Sequence, residues 1–62
     1  MNSEQAIKLG VAFGEAHEAL LVTLDKITTN ALEDGVKPQA LRDNLAEWFG
    51  PQILSDLKEY RA

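Results

Sequence analysis

Helical periodicity runs through this 62-residue chain and breaks in only two places, Asp34-Gly35-Val36-Lys37-Pro38 and Gly50-Pro51. Each break has a local chemical cause. Gly35 suits the left-handed residue that ends a helix, and Pro38 suits a first helical turn, where its missing N–H loses no partner. Gly50 loosens the chain. Pro51 removes a backbone donor and clashes one turn back, at a cost of ~3 kcal/mol inside a helix. No strand-like alternation, internal repeat or low-complexity tract is present. The expected fold class is therefore all-α, a helical hairpin in one small domain. Its long N-terminal helix spans about residues 3–33. Its second arm spans 38–49 and 51–60, broken at Gly50-Pro51.

The first arm carries the densest information. Asn2 or Ser3 can cap its start, and Glu4 suits the positive end of the helix dipole. Glu4 and Lys8 form a favourable i,i+4 pair. Ala6, Leu9, Phe13, Ala16, Leu20, Leu24, Ile27 and Ala31 recur in steps of three and four, a near-heptad seam. Ile7, Gly10, Gly14, His17 and Leu21 form a neighbouring stripe, and Ala12, Ala19 and Thr23 a third. Glu4, Lys8, Glu15, Glu18, Asp25 and Thr29 mark the polar side, interrupted by Val11 and Val22. Thr28-Thr29-Asn30 are weak helix formers, placed to fray or kink the last turns.

Length turns this pattern into an expectation about assembly. A helix over residues 3–33 is ~46 Å long at ~1.5 Å per residue, and the return arm can cover ~36 Å of it. One return arm cannot cover the width of the apolar stripes. Two hairpins packed as a four-helix-type bundle can. A homodimer is expected, with the first arms near its axis and with Leu9, Gly10, Phe13, Gly14, His17, Leu20, Leu21 and Leu24 at its interface.

Composition removes several function classes. The chain has no cysteine and one histidine. Disulfides, Cys-based zinc sites and thiol catalysis are excluded, and a His-rich metal cage has too few ligands. A chain this short buries only ~60% of its unfolded surface, so another chain is the natural staple. Six Lys+Arg against ten Asp+Glu give a formal charge of −4. That balance disfavours nucleic acid and favours a partner with a basic surface. Met1-Asn2-Ser3-Glu4-Gln5 lacks the basic start and apolar core of a signal peptide, and no apolar run reaches the ~20 residues of a membrane span. A cytoplasmic protein with no membrane contact and no cofactor is expected.

Candidate motifs separate into chemistry and packing. Gly10 and Gly14 sit one turn apart at a cost of ~1 kcal/mol each in a helix interior, which points to close helix approach. They make no phosphate loop, because the GxGxxG spacing and the Walker lysine are missing. His17-Glu18-Ala19-Leu20-Leu21 begins like HExxH, but Leu21 stands where the second zinc ligand is required. His17 reads as a packed or interface histidine. Glu15 and Glu18 read as a solvated acidic face, and Asp43 and Glu47 as surface acids one turn apart. No catalytic or metal-binding residue is assigned.

Trp48-Phe49 is the most informative pair. Neighbouring helical side chains point ~100° apart, so one narrow seam cannot bury both rings equally. At least one of the chain's four aromatic residues is expected in the core, and one of this pair is a candidate recognition residue. The function expected is a non-enzymatic interaction module that binds, and modulates or inhibits, a larger protein, in the manner of a bacterial or phage accessory factor. Trp48, Phe49, Ile53 and Tyr60 are its candidate contacts. Glu15, Glu18, Asp43 and Glu47 are candidate steering charges. The alternative is nucleic-acid-related: an acidic decoy of a nucleic-acid-binding protein, or a helical-hairpin dimer that binds RNA. For the latter, Lys26, Lys37, Arg42, Lys58 and Arg61 are few and scattered.

Overall fold

A computed structural model describes residues 2–62. It contains three helices, α1 (Ser3–Glu33), α2 (Pro38–Phe49) and α3 (Gln52–Arg61), and no strand among the described residues. The helical hairpin is present, and both interruptions fall where the sequence puts them.

Each boundary has an identifiable cause. Asn2 caps α1 through a reciprocal capping box. Its Oδ1 accepts from the Gln5 backbone N–H at 2.8 Å, and its own N–H donates to Gln5 Oε1 at 3.0 Å. At the other end the Gly35 N–H donates to the Leu32 carbonyl and the Val36 N–H to the Ala31 carbonyl. Gly35 adopts φ +93°, so this is a Schellman closure that only glycine enters without strain. Pro38 is the first residue of α2. Gly50, at φ +89°, ends α2, and Pro51 caps α3. The Thr28-Thr29-Asn30 stretch neither frays nor breaks α1, which continues to Glu33. Thr28 is buried, and its hydroxyl donates to the Asp25 carbonyl at 3.1 Å.

The bend at Gly50-Pro51 sends α3 across the C-terminal half of α1. Leu21 and Leu24 of α1 meet Ile53 and Leu57 of α3, and these four side chains are the buried apolar core. Leu20, Leu45 and Leu54 pack partly against it. Two polar contacts fasten α3 to α1. Arg61 donates through Nε to Asp25 Oδ1 at 2.6 Å and through a terminal nitrogen to Thr28 Oγ1 at 2.7 Å. His17 Nε2 lies 3.6 Å from Asp56 Oδ2, an ion pair only when the imidazole is protonated.

The return arm covers far less of α1 than its length allows. Every residue from 2 to 19 is exposed, so α1 extends as a bare rod for ~25 Å beyond the core. The molecule measures 49 × 18 × 18 Å with a radius of gyration of 14.5 Å, against ~10.6 Å for a compact chain of this length.

Candidate functional site

All four aromatic side chains lie outside the core, contrary to the expectation that at least one would enter it. Phe13 is 69% exposed and Trp48 77%, while Phe49 and Tyr60 are also largely accessible. The reason is geometric. The core closes with four aliphatic side chains between α1 and α3, and Trp48 and Phe49 are the last two residues of α2, at the bend.

The other expected interaction residues divide into two groups. Ile53 is buried against α1 and is withdrawn from the set of partner contacts. Leu21 and Leu24 likewise face α3 of their own chain and not an open seam. Leu9, Gly10, Phe13, Gly14 and His17 lie on the uncovered half of α1 or at its margin, and Leu20 is half-buried. A Cβ built on Gly10 or Gly14 meets nothing within 4 Å, so no close approach occurs there within one chain. Glu15 and Glu18 on α1, and Asp43 and Glu47 on α2, are all exposed. Asp43 accepts from Gln39 Nε2 at 2.9 Å across one turn. The Glu4–Lys8 pair forms at 3.4 Å, with both side chains about three-quarters exposed, which leaves it little weight in stability.

Most of the exposed large apolar side chains of α1 lie on its N-terminal half. Ile7, Leu9, Val11 and Phe13 stand out on the bare half, Leu9 and Phe13 on one face and Ile7 and Val11 on another, and Ile27 beside the core shares the face of Leu9. Contiguous exposed apolar surface of this kind is a common mark of interaction sites. Among the described residues no group of three or more His, Asp or Glu is placed to hold a metal ion, and no helix is long and apolar enough to cross a membrane.

A second feature escaped the sequence reading. The C-terminal end of α1 with α2 and α3 encloses an open groove of about 780 Å³. Leu32, Leu41, Leu45, Leu54 and Leu57 line its apolar walls, and Arg42, Lys58 and Arg61 line it with positive charge. Half of the chain's six basic residues thus meet on one groove. Arg42 on α2 is sixteen positions from Lys58, while Lys58 and Arg61 share the last turn of α3, so no single local run marked all three. The clamp of Arg61 on Asp25 and Thr28 also went unseen, because the partners stand more than thirty positions apart.

Comparison with protein-family models, characterised proteins and solved structures found no significant match.

Proposed function

We propose that this protein is a non-enzymatic interaction module. In this reading it is an acidic helical homodimer, packed as a four-helix-type bundle, that binds and modulates or inhibits a larger partner protein. The bacterial or phage accessory factor is the type it fits, working in the cytoplasm. The observation that carries the reading is the wet position of Phe13, Trp48, Phe49 and Tyr60 in a chain whose own core holds four side chains. Burying such rings is a large source of association energy, and aromatics dominate interface hot spots. Trp48, Phe49 and Tyr60 are the partner contacts. Glu15, Glu18, Asp43 and Glu47 steer a basic surface toward them.

Affinity capture with the full chain tests this. A partner held by the native protein should be lost on Trp48→Ala or Phe49→Ala, with weak dependence on salt. A capture pattern unchanged by both substitutions sinks the reading. Steep loss with salt and on Glu15→Gln or Glu18→Gln supports the acidic-decoy alternative instead.

The cations on the groove favour the RNA-binding alternative over what the sequence suggested. Three positive residues are still a small footprint beside the net charge of −4. A labelled-RNA shift at moderate salt that disappears on Arg42→Ala with Lys58→Ala would establish it.

A further inference from the structure

The exposed surface of α1 has a shape that selects its occupant. At 100° per residue, the charged residues of α1 gather on one side. Asp25 and Glu18 lie at one limit of that side, and Lys8 and Lys26 at the other. The α3 helix sits on the flank next to the Asp25 limit, against Leu21, Leu24 and Thr28. On the far side, between α3 and the Lys8 and Lys26 limit, lies an uncharged sector that α3 leaves open. It carries Leu9, Phe13, Ala16, Leu20, Thr23 and Ile27 in strict alternation of four and three, with Leu20, half-buried against the core, at its inner margin. Leu9, Phe13 and Ile27 are 43%, 69% and 55% exposed, so the strip runs from the bare half of α1 past the core.

We infer that this strip is the seat of α1 from a second copy, running antiparallel, with the two-fold axis at the midpoint of the helix. The inference rests on the homodimer in the reading above and supplies its geometry. Two observations choose a second copy as occupant. The first is area. The chain exposes 4925 Å², whereas a compact monomer of its mass exposes about 3950 Å². The excess is close to the ~800 Å² that each partner contributes to a standard stable interface.

The second is self-complementarity about the midpoint of Ser3–Glu33. In the antiparallel arrangement Phe13 of one copy faces Thr23 of the other, Leu20 faces Ala16, and Leu9 faces Ile27. Large meets small in two layers, each repeated by symmetry, and two aliphatics of similar size meet at each outer layer. Facing layers that alternate large and small interdigitate without voids. In the parallel arrangement Phe13 meets Phe13 one turn from Ala16 against Ala16, which crowds one layer and empties the next. Identical strips that complement each other in opposite directions form a closed, two-fold interface.

The absence of cysteine makes the test direct. Leu9→Cys and Ile27→Cys variants of the full chain are oxidised separately and as a mixture, then run without reductant. Within one helix these positions lie ~27 Å apart, whereas a disulfide needs Cα atoms ~4.4–6.8 Å apart. The expected result is a linked pair at twice 6.8 kDa in the mixture, with each variant alone remaining at 6.8 kDa. Linkage of either variant with itself, or none in the mixture, overturns the arrangement. Light scattering on the native protein at high concentration guards against a damaged variant: a mass of 6.8 kDa there overturns the inference by itself. A dimer that passes the cross-link test but captures no partner supports the pairing and overturns the partner-binding reading, so the two fail separately.

Discussion

Phe13→Ala should act in opposite directions on the single chain and on the proposed pair. In the single chain the ring is 69% exposed on the bare half of α1 and supports no tertiary contact of the core. Alanine is the better helix former by about half a kcal/mol, so the isolated chain should gain helix. In the proposed pair the ring would be covered. Full burial of a Phe side chain is worth about 1.5–3 kcal/mol, and scaling by the exposed fraction leaves about 1–2 kcal/mol per ring. Two rings per dimer give about 2–4 kcal/mol, a weakening of the dimer constant by roughly thirty-fold to several hundred-fold. Sedimentation equilibrium over a concentration series reads the constant, and far-UV circular dichroism at the lowest concentration reads the helix. Val11→Ala is the control. Val11 is 55% exposed on the same half of the helix but points to its charged side, and its loss should leave the dimer constant within two-fold. Equal weakening by both substitutions, or by neither, would refute the assignment of the strip.

Other substitutions probe the single chain. Leu57→Ala empties one of four core positions; it should cost about 2–5 kcal/mol, against a total of ~3–9 kcal/mol for a chain this long, and an unchanged urea midpoint would contradict the core. Gly10→Ala and Gly14→Ala each add a methyl that meets nothing, so each should raise helicity by ~1 kcal/mol of propensity at dilutions where the chain is single. Loss of helix there would contradict the open space around both glycines. Arg61→Ala frees the last turn of α3 from Asp25 and Thr28; the pair is part-exposed, so the cost should stay near ~1 kcal/mol, seen as faster amide exchange in α3 and mimicked in part by salt.

The boundaries of the fold were legible because their causes are local. Gly35 and Pro38 close and open helices through their own backbone chemistry, and the Asn2 cap needs only Gln5. The path of α3 was not legible. Gly50 permits a left-handed φ but does not choose the direction of the bend, and that choice decided which half of α1 is covered. Ile53 therefore went to the core while Trp48 and Phe49 remained outside. Thr28 was misread for the same reason. Its propensity suggested fraying, but tertiary burial and the Arg61 guanidinium hold it in place.

The position of Trp48 makes the chain its own optical gauge. It is the sole indole, it stands beside the bend at the end of α2, and water reaches most of it. Indole emission moves to shorter wavelength when water is excluded. Anything that settles on the bend will thus announce itself in the fluorescence of the unlabelled protein. The strip of α1 proposed to pair holds neither Trp nor Tyr, so burial there should leave the indole emission unchanged while binding at the bend shifts it.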